Sequence, residues 1–446
     1  MPTAALPDEE TAEAPPIRRA ARPVRRQLVT AFFAYLLTLV TAGFVVDWDA
    51  ASTKPPAGAT PSPTRAAPVQ AAPQRSPAPP VRDEIPSIPE VSDVVQLDPV
   101  RQQGRVTARD NGQSTRYGDR SVWIFADTVL KSPDAFLSNT AASTTDLDAG
   151  DGITLTAADL AGTPGELHDE FLPWSDAERA FERAHAKGCV RGSDEYCGVT
   201  FGLWPGPVIP DPARQRVLVF YHKLCRGGAP EQPCSQRYGQ DLGTGIAAVD
   251  MRTFRVTRLT PANATPVRSI EGHDPALFFP AETMFASAAL VAGDDVYVYG
   301  DCAEDGRCRL ARVPLARIDD RSAWRFYGGR DDDRTVLWVT DPLDAVPTVR
   351  AGAAGNSVLW NPALDAWMNV YMEFGSHEVR AQVGGAPYGP WSDSFPVAET
   401  DPGDYGTNYA AFAHPEYAQQ GGLVQYVTYY QQSTGAQRLL RVTLSP

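Results

Sequence analysis

Short runs of β-branched and aromatic residues, each bounded by Gly, Asp, Asn or Pro, recur over most of this chain and constrain its fold more than any other feature. The clearest are SVWIFADTVL (121–130), RVLVFYHKL (216–224), DDVYVYGDC (294–302), RTVLWVTD (334–341), AWMNVYMEF (366–374), VQYVTYY (424–430) and RLLRVTL (438–444). Runs of this length with turn residues between them read as strands. Helical spacing is confined to SDAERAFERAHAKG (175–188), with Ser175 or Asp176 as the N-cap. So many short strands leave a pair of sandwiches or a propeller. Three stretches, 284–301, 357–374 and 409–430, are hairpin couples with turns such as AGDD and NPALD between their runs. Such couples suit the inner strands of propeller blades, so the expected fold is an all-β propeller of four to five blades without a tidy repeat.

The N-terminal part has a different character. Residues 28–46 form a run of 19 uncharged residues, close to the ~20 that cross a bilayer. Five arginines (18, 19, 22, 25 and 26) precede it, and Asp47 and Asp49 follow. The positive-inside rule therefore makes 1–27 a cytoplasmic tail, 28–46 a transmembrane signal anchor, and the remainder extracytoplasmic. A cleaved signal peptide near Ala50 and Ala51, giving a secreted protein, is the alternative. Residues 47–92 contain 11 of the 40 prolines and few large apolar residues. They read as a disordered Pro/Ala-rich linker that gives reach. The β domain is expected over 93–446.

All six cysteines follow the span, in the couples Cys189/Cys197, Cys225/Cys234 and Cys302/Cys308. An exported compartment makes them disulfides, and short loop closure favours pairing within each couple. With 40 Lys+Arg against 54 Asp+Glu, the net charge of −14 argues against a nucleic-acid partner. No Gly-rich phosphate loop, dinucleotide fingerprint or nucleophile elbow is present. The histidines lack metal-ligand spacing, and Asp331–Asp333 lacks that of a calcium loop. No metal or cofactor is expected.

The motifs RDNG (109–112), VWIFADTVL (122–130), FASAALVAGDDVYVYG (285–300), NSVLWNPALDAWMNVYME (356–373), APYGPWS (386–392) and AAFAHPEY (410–417) carry a resemblance. Together they resemble an exported bacterial family of five-bladed β-propellers, long catalogued as a domain of unknown function. Some of its members are endo-D-arabinanases, glycoside hydrolases that cut the D-arabinan of actinobacterial cell walls. The resemblance implies a five-bladed propeller in which Asp110 and Asp127 face the sugar as the catalytic carboxyls. The family usually shows Gly-Asp-Thr at the second motif, where this chain has Ala126-Asp127-Thr128.

The residues give their own reading of the same positions. Glycoside cleavage needs one protonated carboxyl for the leaving oxygen and one carboxylate to activate water or attack carbon. Asp127 ends the apolar run 122–126, whereas Asp110 precedes the turn pair Asn111-Gly112 and has an ordinary role there as well. Glu282 and Glu373 lie beside strands and are further acid candidates, although an ion pair with an arginine is the ordinary fate of Glu373. His222 alternates with Phe220 and faces either the site or the core. His414 matches the family pattern and, with His377, is a candidate for binding sugar hydroxyls. Trp204 and Tyr409 are candidate stacking platforms, and Asn361 completes the substrate-binding set.

Three readings follow. The first is a membrane-tethered glycoside hydrolase acting on cell-envelope polysaccharide, as a monomer. The second is a propeller that binds glycan without cutting it, and the third is an envelope protein–protein scaffold.

Overall fold

The apolar runs close as antiparallel sheets, and both faces of each sheet are covered, which is why runs such as Val122–Phe125 are buried throughout. The computed structural model describes residues 79–155, 170–186, 189–190, 193–303, 305–373 and 375–446. The fold is mostly β and propeller-like. The first main sheet pairs Gln113–Tyr117, Arg120–Phe125 and Thr140–Thr144. The second runs through Thr200–Asp211, Arg216–Arg226, Gln240–Asp250 and Val256–Arg258. The third passes from Ala288–Ala292 through Asp295–Gly300 and Arg307–Pro314 to Arg325–Arg330 and Val336–Val339. Next come Ser357–Asn361, Ala366–Met372, Glu378–Gly384 and Phe395–Glu399. The last sheet orders Asn408–Ala413, Val424–Gln431 and Ala436–Ser445, and the early strand Glu90–Leu97 joins its outer edge. That pairing ties the start of the domain to its end.

The core lies between neighbouring sheets rather than inside any one of them. Ile124, Leu203 and Val219 pack the first sheet on the second, and Phe220, Phe285 and Phe326 pack the second on the third. Tyr299 and Trp367 join the third to the fourth, Met368 and Val427 the fourth to the last, and Trp123 and Tyr426 the last back to the first. Contacts made on or just before the first strands of successive sheets follow the same order. Asn111 donates to the Pro205 carbonyl, the Ser287 hydroxyl donates to Asn356 Oδ1 at 2.8 Å, and Ala410 N reaches the Ala353 carbonyl at 3.3 Å. Between the second sheet and the third the approach depends on Gly206, since a Cβ there would lie 2.5 Å from the Ala286 carbonyl oxygen.

Several expected elements differ in detail. The run 121–130 is two strands, Arg120–Phe125 and Thr128–Leu130, which belong to different sheets and are separated at Ala126-Asp127. The helix spans Asp176–Ala186, and Ser175 closes a capping box with Glu178 through contacts of 2.7 and 3.2 Å. The strand beginning at Glu90 starts ahead of the expected boundary at residue 93. Before it, Arg82 N binds the Gly385 carbonyl at 2.9 Å, on the far side of the fourth sheet from the starts of the inner strands.

Each cysteine couple closes a disulfide, Cys189–Cys197, Cys225–Cys234 and Cys302–Cys308, which suits an oxidising, extracytoplasmic compartment. Among the described residues no helix is long and apolar enough to cross a membrane. The expected anchor at 28–46, the tail before it and most of the linker lie outside the described residues.

Candidate active site

Asp110 and Asp127 are brought together by the backbone. Asp110 N donates to the Asp127 carbonyl at 3.2 Å, and Ala126 N donates to the Asp110 carbonyl at 3.1 Å. Two residues thus oppose one, a bulge of the kind that re-aims side chains. Asn111 follows with φ 56°, a left-handed conformation that asparagine tolerates. The Ala126 methyl is buried at 5% exposure, so the departure from Gly-Asp-Thr puts no side chain on an open surface.

The two carboxyls have unequal partners. Asp127 accepts from Trp204 Nε1 at 2.9 Å and from Arg226, which reaches its two oxygens at 3.3 and 3.1 Å. Asp110 accepts from the Tyr409 hydroxyl at 2.7 Å through Oδ2, while its Oδ1 is buried with no hydrogen-bond partner among the described residues. Burial, and then the charge of Asp127, push the Asp110 carboxyl up to about 8; the Tyr409 hydrogen bond and Arg226 oppose this without overcoming it. Burial also raises Asp127, but the Arg226 charge and the Arg226 and Trp204 hydrogen bonds pull against it. Of the two, Asp110 is the group that holds a proton and Asp127 the group that gives one up first.

The elements of three sheets converge here. Trp204 lies on Thr200–Asp211 and Arg226 ends Arg216–Arg226, while Tyr409 near the start of Asn408–Ala413 pairs across the ladder with Tyr430, ring centroids 5.1 Å apart. His222 sits directly across from Trp204 and therefore on the same face, with Nδ1 4.0 Å from Asp241. Burial lowers its pKa and Asp241 opposes that.

Asp110, Asp127, Trp204 and Tyr409 thus form one cluster with His222 beside it. The other expected substrate residues lie elsewhere. His414 is fully buried, stacks on Trp123 at 4.3 Å, and has both nitrogens taken up by Ser114 and Thr428 at 2.6 and 2.7 Å. Its pKa falls to about 3 through burial, which makes it a neutral core histidine. Asn361 is equally buried and caps its own turn, accepting from Ala363 N and Leu364 N and donating to the Gly422 carbonyl. Glu373 is exposed and faces Arg350 at 3.9 Å, and Glu282 is exposed on the turn Ala281–Thr283; neither bonds to the carboxyl pair.

Three contributors escaped the sequence reading. Arg226 lies two residues past the expected strand end, Tyr430 closes a run whose pattern marks a strand and nothing more, and Glu170 lies near enough to Arg226 to feel its charge. Glu170 accepts from Ser138 N and Oγ at 2.8 and 3.0 Å, and burial raises its pKa. Alternation supplies one usable signal: Phe220, His222, Leu224 and Arg226 share a strand face.

The family described as a domain of unknown function, DUF4185, matches residues 253–437. This span includes Tyr409 and Tyr430 and begins after Asp110, Asp127, Trp204 and Arg226. No curated protein matches the chain by sequence. Among solved structures, the GH43_1 enzyme from Xanthomonas citri complexed with xylose is 13% identical over 76% of this chain and 87% of that one, with a TM-score of 0.41. The GH43 β-xylosidase/α-arabinofuranosidase CoXyl43 from a compost microbial metagenome is 11% identical over 80% and 95%, with a TM-score of 0.40. The catalytic domain of the Coprinopsis cinerea GH62 α-L-arabinofuranosidase is 8% identical over 80% and 98%, with a TM-score of 0.42.

Proposed function

We propose that this protein is a glycoside hydrolase of the cell envelope, a five-bladed propeller held to the membrane by residues 28–46 and acting on a polysaccharide such as D-arabinan. The observation that carries the reading is the unequal carboxyl pair. Asp110, with its proton retained to about pH 8, is equipped to protonate a leaving glycosidic oxygen. Asp127, with Arg226 and Trp204 donating to it, is the carboxylate that activates water or attacks the anomeric carbon. Environments that push two carboxyls apart are how a single site supplies both acid and base. Trp204 and Tyr409 flank the pair and offer ring faces to a sugar.

One feature favours a second reading. Arg226 holds both oxygens of Asp127, which suits a site that binds glycan without cutting it. The two readings separate on turnover. The full chain, incubated with D-arabinan, arabinoxylan and galactan, is expected to release oligosaccharides from one of them, seen by chromatography. Asp127→Asn and Asp110→Asn are expected to release none. Retention of a glycan with no product from the wild type selects the binding reading, and neither retention nor product leaves the scaffold.

A further inference from the structure

Exposed aromatic rings are scarce among the described residues. Among the described residues, the large apolar side chains left exposed include three rings: Phe136 at 50%, Tyr238 at 60% and Tyr405 at 62%. Phe136 and Tyr405 adjoin side chains of the carboxyl cluster, and Tyr238 lies at the same end of the second sheet as Arg226, two residues before the Gln240 that pairs with Cys225. Phe136 lies under the Arg226 guanidinium, 4.9 Å from carbon to ring centroid, and Arg226 in turn holds Asp127. Tyr238 belongs to the loop that leaves the same strand directly after Arg226 and is pinned by Cys225–Cys234 and by Cys234 N on Gln240 Oε1 at 2.9 Å. Its own ring carries the Arg237 guanidinium at 5.2 Å.

Tyr405 stands on the other flank. Its loop is strapped to the end of Val424–Gln431, where the Asp401 carbonyl accepts from Asn408 Nδ2 at 2.6 Å and Gln431 Nε2 at 2.9 Å. Gly403 and Gly406 permit this, with φ 69° and 80° and with Ser433 and Gln432 where a Cβ would stand. That anchorage keeps Tyr405 near enough to influence Tyr430, the ladder partner of the Tyr409 that binds Asp110.

We propose that Phe136, Tyr238 and Tyr405 are stacking platforms for successive sugar rings of a polysaccharide chain that crosses the carboxyl pair, with Phe136 and Tyr238 on the Asp127 side and Tyr405 on the Asp110 side. This rests on the glycan reading of the site and adds to it that the chain is engaged on both sides of the carboxyls, away from its ends. Each platform is pinned by a disulfide, a cation or a hydrogen-bonded loop. An apolar ring face offered to solvent in a fixed orientation suits the C–H face of a pyranose or furanose.

The test uses native gels cast with D-arabinan, arabinoxylan or galactan, run beside product chromatography. The proteins are full-length wild type, the three single alanine variants, their triple combination, and Leu343→Ala. Leu343 is 63% exposed on the turn Pro342–Asp344 and serves as the control. One glycan should retard the wild type. Phe136→Ala and Tyr405→Ala should each weaken the apparent affinity by roughly three- to tenfold, the scale of one aromatic contact. The triple variant should migrate freely and Leu343→Ala as wild type, all with unchanged melting temperatures. Retardation of the triple variant equal to wild type overturns the proposal, as does a wild type that no glycan retards. Binding that depends on the three rings without product removes the hydrolase reading and leaves the platforms standing. Product with binding indifferent to the rings does the reverse.

Discussion

The strand Arg216–Arg226 carries a cation on each face near one end, and the two faces treat charge in opposite ways. On one face Lys223 Nζ, fully buried, meets Glu178 and Asp274 at 2.8 Å and also Glu271. Arg258 joins them, with Glu178 and Asp274 both at 2.7 Å and the Tyr221 hydroxyl at 2.8 Å. The acidic trio has the spacing of a cation site, and a lysine fills it. Burial works to raise Glu178 and Asp274, but Arg258 and Lys223 outweigh it and both carboxyls end below their ordinary values. On the other face, Arg226 is the one cation that acts on Asp127 and Asp110 among the described residues, one carboxyl oxygen has no hydrogen-bond partner among them, and both carboxyls end above their ordinary values. Matched charge fixes a loop and a helix onto the sheet, whereas unmatched charge leaves a group able to hold and release a proton.

This contrast is broken most severely at Asp127. Asp127→Asn should cut glycan turnover by roughly 10²–10⁴-fold, the scale of a lost acid–base group, with the protein still folded. On the matched side, Lys223→Met leaves three carboxyls against one guanidinium and should cost about 3–5 kcal/mol, read from the urea midpoint.

The pH dependence sharpens the comparison because the two faces run in opposite senses. The stability contributed by Glu178 and Asp274 is present above their unfolded values and is lost as pH falls through their lowered folded values. Asp110, raised in the fold, contributes most below 3.8, and that contribution is lost as pH climbs toward about 8. Asp110→Asn should therefore raise the melting temperature at pH 8 and leave it near wild type at pH 3, with a difference of at least about 1.4 kcal/mol, one pKa unit. Arg226→Gln removes the cation from Asp127 and should move the acidic limb of the rate profile up by about one pH unit. The smallest expected effect is Ser175→Ala, which opens the capping box that steadies Glu178 and should cost about 1 kcal/mol.

Much of this architecture is legible in the runs themselves, because a strand covered on both faces must be apolar along its length. Asp127 stands out for the same reason, as a carboxylate ending such a run. The break at Ala126-Asp127 is not legible, since nothing local distinguishes one strand of ten residues from two strands in different sheets. Arg226 is obscured in a similar way by two residues of strand past the apolar run. His414 and Asn361 show the opposite error. Their polar side chains, written into aromatic strands, look available for a sugar, yet Ser114, Thr428 and the turn at Ala363 satisfy them internally. Partners that arrive from 300 residues away, as Ser114 does for His414, leave no mark on the local sequence.

The proton on Asp110 is open to direct observation without knowledge of the sugar. Protein labelled with ¹³C at the aspartate carboxyl carbons can be titrated from pH 3 to 9, with Asp110→Asn assigning the resonance. The Asp110 signal should stay in its protonated position through neutral pH and move near pH 8. A signal that has already shifted to the carboxylate position by pH 5 would contradict it, and with it the division of acid and base between the two residues.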